Sequence, residues 1–332
     1  MDNLLYCLAR FLIATVQSLP LTWGARLGRL GGIVFYYLDA RHRKVALRNL
    51  NRCFGREKKP GEIRALAREN FRRIGENYVC AVKTASMKGP ALRRRVEILG
   101  AEKILRTRQV PSTPIGQSCQ SCIVAIGHFG NFELYAHAGQ LMLGFQTLTT
   151  YRALRQPALN RLMQSMRVQT GCQFFERRTE AGLLRAALKP KGVMLGLLVD
   201  QHAGDRGLAI EFFGEECSTS AAPAIFSLRY GLPLYTAVCF RTRLGHWRIE
   251  VGDEIPTRHN GQARSTRAIM EEINRAFETA TRRDPANWFW VHQRWKPVSR
   301  RRQSARLAPG PDNAAAGPDC NKEPINLGNN PG

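Results

Sequence analysis

A chain of 332 residues has room for one large domain or two small ones, and its 44% hydrophobic content is that of a globular protein with a sizeable core. Lys and Arg number 50 against 26 Asp and Glu, a net charge of +24 that points to anionic partners: nucleic acid, an anionic membrane surface, a phosphorylated lipid or an acidic protein. The nine cysteines, odd in number and irregularly spaced, make no disulfide framework and point to a reducing compartment, and there is no GxSxG elbow, phosphate loop or dinucleotide fingerprint.

Residues 4–19 are apolar with one interruption, Arg10, and Leu4, Leu5, Leu8, Phe11, Leu12, Thr15 and Leu19 fall near helical spacing. The stretch is shorter than the roughly 20 apolar residues of a membrane span. It also lacks the small-residue cleavage site of a signal peptide. Residues 27–38 form a second apolar patch. Together they read as a membrane-embedded or interfacial anchor, or as a pair of buried core helices. Arg41, Arg43, Lys44, Arg48, Arg52 and Arg56 follow at once. Such a run is expected beside anionic lipid on the cytoplasmic side of an anchor, or as a solvated helix face. Residues 61–87 predict one helix or two, with Ile63, Leu66, Ala67, Phe71, Ile74 and Val79 as a core stripe. A strand at 96–99, a short helix at 101–106 and a polar loop at 109–120 come next. Cys119 and Cys122 form a single CxxC without the second pair that a metal site would need.

Residues 122–126 read as a buried strand, broken by Gly127 and Gly130. Asn131 is a favourable N-cap, and residues 132–140 predict a helix. Strands are expected at 145–150, 172–175, 193–199, 234–241 and 247–251, and helices at 158–167, 179–188, 220–230 and 265–281. This alternation predicts an α/β fold, a mixed sheet sandwiched by helices. The expected organisation is an apolar anchor at 1–40, an α/β domain at 41–298 and a disordered tail at 299–332.

His128 thus sits in a tight strand-to-helix turn, with Glu133 in the first helical turn. Unpaired N–H groups and the positive end of the helix dipole lie there too. Acyl transfer to a hydroxyl needs such a set: His128 as the base, Glu133 to fix its tautomer, and N–H groups to hold the oxyanion. The structural alternative is that His128 caps a turn and Glu133 favours the dipole. His128, Glu133 and His137 lie close, but no further ligand stands at zinc-like spacing, so neither a metal nor a cofactor is expected. Arg152 follows a strand end and can reach the same rim as a clamp for a phosphate or a polarised carbonyl. Asp200 ends an apolar strand, where a carboxylate is costly unless solvated or paired, and a pair with Arg152 or Arg167 is expected. Phe212-Phe-Gly214 would shape an apolar channel or core, and Ser218-Thr-Ser220 would cap the next helix or line a donor site. Trp288, Phe289, Trp290 and Trp295, interleaved with His292, Arg294 and Lys296, invite a base-stacking reading.

Gly127-His-Phe-Gly-Asn-Phe-Glu133 resembles the HX4E signature of the bacterial lipid A late acyltransferases of the lauroyl/myristoyl type, within the wider lysophospholipid acyltransferase group. Val45-Ala-Leu-Arg-Asn-Leu50, Tyr151-Arg152, Val199-Asp-Gln201, Phe212-Phe-Gly214 and the block from Trp288 to Lys296 resemble further family blocks in order, so the likeness covers roughly residues 5–297. It implies a glycerolipid acyltransferase-like fold with an N-terminal membrane anchor, on the cytoplasmic side of a cell inner membrane. It implies acyl carrier protein as donor and an anionic glycolipid, a phosphorylated glucosamine-based lipid A precursor, as acceptor. It also implies substrate-binding work for Arg152, Arg167 and Asp200, and packing or interfacial placement of the Trp block with no nucleic acid bound. Other acceptors stay open: a phosphatidylinositol mannoside, an aminolipid or a lysophospholipid. So does a non-catalytic basic protein that binds anionic membrane or nucleic acid, which explains the charge but not the His128 turn.

Overall fold

The computed structural model describes residues 2–106, 120–141, 145–189 and 191–296. The expected polar loop up to its last residue, Cys119 of the CxxC, and the expected tail lie outside the described residues.

Helices α1 (Asp2–Ser18), α2 (Leu21–Leu38), α3 (Ala40–Phe54), α4 (Pro60–Ala85) and α5 (Gly89–Arg93) come first. Strand β1 (Val96–Leu99), helix α6 (Ala101–Arg106) and strand β2 (Cys122–Ile126) follow. A 3₁₀ segment, Phe132–His137, leads into the single turn α7 (Ala138–Leu141). Then come β3 (Gln146–Tyr151), α8 (Pro157–Val168), β4 (Gln173–Glu176), α9 (Ala181–Ala187) and β5 (Val193–Leu198). A hairpin of β6 (Leu208–Phe212) and β7 (Glu215–Thr219) precedes α10 (Ala222–Tyr230). Strands β8 (Leu234–Arg243) and β9 (His246–Val251), the small hairpin β10 (Arg258–His259) and β11 (Gln262–Ala263), and helix α11 (Thr266–Arg283) complete the fold.

The central sheet has seven strands in the order β1-β9-β8-β2-β5-β3-β4. Only β8 and β9 pair antiparallel, so the sheet is mixed and helices flank it. Strand β2 is buried along its whole length, as a central parallel strand covered on both faces must be. Its alternate side chains serve two cores. Ile123 and Ala125 join the cluster built with α3, α4 and α11, whereas Cys122, Val124 and Ile126 join one with Leu21, Cys80 and Trp247. Helix α11 offers Ile269, Met270, Ile273 and Phe277 to the first of these at helical spacing, and Ser265 caps it by accepting from Ala268 N–H.

The N-terminal helices are not a fully buried pair. No helix among the described residues is long and apolar enough to cross a membrane. Helix α2 buries Leu21, Gly24, Ala25, Gly28, Gly32 and Tyr36, while Trp23, Leu27, Leu30, Val34 and Leu38 on its opposite face stay exposed. Leu8, Phe11 and Leu12 of α1 are exposed as well. The buried face lies backbone to backbone on α4. A Cβ on Gly32 would stand 2.1 Å from Phe71 O, one on Gly28 2.5 Å from Gly75 O, and one on Gly75 2.1 Å from Gly28 O. Charge closes the same crossing: Arg29 pairs with Glu69 at 2.9 Å. The fully buried Glu76 accepts from Arg29, from Arg241 Nε at 2.8 Å and from Gly245 N–H at 3.1 Å.

The crossing can be tested with two neighbouring glycines. Gly31 has nothing within 4 Å of a Cβ, so Gly31→Ala should raise the unfolding midpoint by removing a glycine penalty of about 1 kcal/mol. Gly32→Ala should lower it, by about 1–3 kcal/mol, as overpacking forces the backbones apart. Denaturant unfolding of both variants decides the matter; an unchanged midpoint for Gly32→Ala would mean the two helices do not touch there.

Candidate active site

Strand β2 ends at Ile126, and the chain turns sharply through Gly127 to Gly130. Both glycines are required by close approaches within the protein. A Cβ on Gly127 would stand 2.6 Å from the Phe129 ring and 3.1 Å from Asp200 Oδ2. Gly130 takes φ +51°, and a Cβ there would stand 2.6 Å from Cys239 O. Phe129 is fully buried and forms an antiparallel bridge to Trp288, while Gly130 N–H donates to Asn287 O.

The helix expected at 132–140 is instead the 3₁₀ segment followed by one α-turn. Asn131 makes no side-chain cap; it is buried, and its amide reaches Thr84 Oγ1 of α4 at 3.5 Å. Four successive residues, Leu134, Tyr135, Ala136 and His137, are buried, so this segment has no solvent face for an amphipathic helix to follow. The Tyr135 hydroxyl accepts from Cys239 N–H at 2.7 Å, and Asn287 Nδ2 donates to Cys239 O at 2.9 Å. Side chains thereby complete β8 beyond the point where β2 leaves it. The oxyanion site expected at a helix N-terminus has no regular α-helix behind it.

His128 meets Asp200, which stands just past the end of the adjacent strand β5. His128 Nδ1 lies 2.7 Å from Asp200 Oδ1, and His128 backbone N–H donates to Oδ2 at 2.7 Å. Trp288 Nε1 also donates to Oδ2, at 2.7 Å. Asp200 is 2% exposed. Burial opposes its charge, but the His128 ring, the His128 N–H and the indole outweigh it and hold the carboxyl below its usual range. An ionised Asp200 fixes the ring proton on Nδ1 and leaves the Nε2 lone pair free. Phe132 meets the ring edge-on at 4.8 Å between centroids, and Phe289 lies 6.0 Å away.

This arrangement corrects the expected pairings. The carboxylate on His128 Nδ1 is that of Asp200, not of Glu133. Glu133 Oε1 accepts instead from Arg167 Nη2 at 3.0 Å. Arg167 comes from the last turn of α8 and lies over the rings of Tyr151 and Phe174, 5.6 and 4.8 Å from their centroids. Asp200 therefore pairs with neither Arg152 nor Arg167. Arg152 stands apart, exposed at the end of β3.

His128 and Glu133 line one hollow that is partly open to solvent. Its other walls include Asn70, Arg73, Asn77, Tyr78 and Ala81 from one face of α4, with Phe132, Trp288 and Phe289. Periodicity placed α4 in the core, and the Asn and Arg residues interleaved with its apolar stripe were the overlooked sign of a lined cavity. Trp288 and His292 were read only within a base-stacking, packing or interfacial block, with no link to Asp200 or His202. Trp288 and Trp290 are buried and unavailable for base stacking. Burial pushes the His292 imidazole down to about 4, so it is neutral and its Nε2 accepts from His202 N–H at 2.8 Å.

No curated protein matches the sequence. The family model described as bacterial lipid A biosynthesis acyltransferase matches residues 3–297, more than half of the chain. The chain therefore belongs to the bacterial lipid A biosynthesis acyltransferases and is an acyltransferase enzyme.

Proposed function

We propose that this enzyme moves a fatty acyl group from the thioester of acyl carrier protein to a hydroxyl of a phosphorylated glucosamine-based lipid A precursor. The observation that carries the reading is the His128–Asp200 pair, which leaves a basic Nε2 on the wall of a largely apolar hollow. Nε2 takes the proton as the acceptor oxygen attacks the thioester carbonyl. Asp200 positions the ring and stabilises the imidazolium that forms. As the tetrahedral intermediate collapses, the C–S bond breaks, and the imidazolium returns the proton to the departing thiolate. Glu133, held by Arg167, acts in the same hollow on the acceptor side, where a carboxylate oxygen can receive the hydrogen bond of a sugar or acyl hydroxyl. Both proposed substrates are acidic, which suits a chain of net charge +24.

The same proposal places the protein on the cytoplasmic side of the inner membrane, held by its first two helices at the interface rather than across it. The exposed row Trp23, Leu27, Leu30, Val34 and Leu38 supports this, with the exposed Arg41, Lys44 and Arg48 of α3 following directly.

Kinetics of purified variants test the chemistry. His128→Ala should lower turnover by about 10²- to 10⁴-fold, the range for loss of a general base. Asp200→Asn should cost about as much, and the double variant no more than either single one, because the two act as a unit. Glu133→Gln should lower turnover by a factor that multiplies with the His128→Ala loss. Near-normal turnover in Asp200→Asn would remove the pair from the mechanism.

Vesicle flotation tests the placement. The full-length chain should bind anionic vesicles in low and high salt, and Leu30→Glu with Val34→Glu should release it in high salt. Release of the wild type by salt alone would reduce the contact to surface electrostatics.

A further inference from the structure

Past Asp200 the chain leaves the sheet, and its backbone groups lose their strand partners. Val199 N–H still donates to Ile126 O of β2, at 3.1 Å. The next partners come from the segment after α11. Arg294 Nη1 donates to Gln201 O at 2.7 Å, and His202 N–H donates to His292 Nε2 at 2.8 Å. Ala203 N–H then donates to Ser218 O of β7 at 3.2 Å. Residues 201 and 202 are thus held by 294 and 292, and Asp200 is the residue they place. His292 is itself fixed through its backbone. Its carbonyl accepts from Asn49 Nδ2 of α3 at 2.7 Å and from Arg294 N–H at 3.0 Å. The ring therefore has an anchored base, and it supplies the acceptor that a departing strand no longer can.

An imidazole nitrogen accepts a hydrogen bond only while the ring is neutral, with its proton on the other nitrogen. The surroundings of His292 enforce that state. Burial is the main cause and pushes the imidazole down to about 4. Among the charged and titratable groups that face it, Asp200 opposes this push, while His128, Arg294 and His202 add to it. An imidazolium formed on His128 during turnover would act in the same direction.

We infer that His292 is a positioning residue: by accepting from His202 N–H, its ring sets the turn that aims the Asp200 carboxylate at His128. It works through Asp200 and not on the reacting atoms. Its bearing on turnover rests on the proposed proton transfer to His128; the bond between His292 and His202 does not.

Two variants of the full-length protein separate the hydrogen bond from bulk. His292→Leu keeps most of the volume without an acceptor, and His292→Gln keeps an acceptor oxygen that takes no proton. In the kinetic arm, His292→Leu should lower kcat about 10- to 100-fold with little change in KM, as for a catalytic group misplaced by about 1 Å. His292→Gln should recover most of that loss. An unaltered kcat in His292→Leu, or an equal loss in both variants, overturns the inference. In the Asp200→Asn background His292→Leu should cost nothing further; losses that simply multiply place its effect elsewhere and overturn the inference too. Should Asp200→Asn alone be silent, the proton-transfer reading fails, and the second arm decides the positioning without any turnover. That arm follows the His128 Nδ1 proton by NMR, a direct report on the bond to Asp200. The resonance should be displaced or lost in His292→Leu and kept near its wild-type position in His292→Gln; an unchanged resonance in His292→Leu overturns the inference. Acid unfolding gives the matching sign. The ring takes a proton near pH 6.5 when unfolded but only near 4 when folded, so its stabilisation is complete above about 6.5 and declines as pH falls towards 4. His292→Gln should lose that share of the acid-side fall in the unfolding midpoint. A pH dependence identical to wild type would mean that no neutral ring is held there and would overturn the inference.

Discussion

The buried carboxylate of Asp200 is the constraint on which the site depends. An ionised carboxylate removed from water costs several kcal/mol unless its lone pairs are met, and here donors reach both oxygens: two from His128 and one from Trp288. Those donors come from distant parts of the chain. His128 follows β2, Asp200 follows β5, and Trp288 belongs to the segment after α11. Satisfying one side chain therefore requires β2 beside β5 and the last segment laid across both. It also explains why position 127 is glycine, since a Cβ there would crowd the same carboxylate.

The last segment is held in turn by buried amides and a buried cation. Asn49 of α3 donates to Trp290 O and His292 O, and Asn70 of α4 donates to Ala286 O and Trp288 O. Arg294, fully buried, donates to Gln201 O, Ser218 O and Thr219 Oγ1. Arg294 thus fixes the residue next to Asp200 as well as the β6–β7 hairpin. Buried polar groups of this kind are costly when unmet and specify one arrangement when met. The charges that line the hollow are each paired: His128 with Asp200, Glu133 with Arg167, and Arg73 with Asp284 and Glu69. The excess of positive charge belongs to the protein surface, where Arg41, Lys44, Arg48 and Arg56 of the basic run are exposed.

What was legible in the sequence follows a physical divide. Strand β2, strand β5 and helices α8 and α11 carry strong periodic or continuous apolar signals and lie within a residue or two of expectation. The β6–β7 hairpin escaped because its turn uses Phe213 at φ +56° before Gly214, a residue type that announces no such turn. The β10–β11 hairpin did carry an Asn260-Gly261 turn, but its two-residue strands are exposed and show no apolar alternation. In the site, His128 was legible from its turn, and its partner was not. Glu133 is five residues away in sequence and engages α8, whereas Asp200 is 72 residues away and reaches the ring only because β5 neighbours β2. Strand order is a property of the whole sheet, and no local window contains it.

Helix α4 links the proposed chemistry to the proposed surface. One of its faces, with Asn70, Asn77, Tyr78 and Ala81, walls the hollow that contains His128. The opposite side meets α2 through Phe71 and Gly75, at a contact too close for any side chain beyond hydrogen. Helix α2 then turns Leu27, Leu30 and Val34 outward. With α4 and α2 touching backbone to backbone, a distance on the order of two helix diameters, about 20 Å, separates the hollow from that apolar face. The glycines set this separation, because larger residues at the crossing would push α2 and its exposed face away from the site. Under the proposed function, a short fixed distance between α2 at the interface and His128 would let the acceptor's acyl chains remain in the lipid while its hydroxyl reaches Nε2. The close α2–α4 crossing thus ties the exposed apolar face proposed to meet the membrane to the proposed reaction geometry, as well as to the stability of the fold.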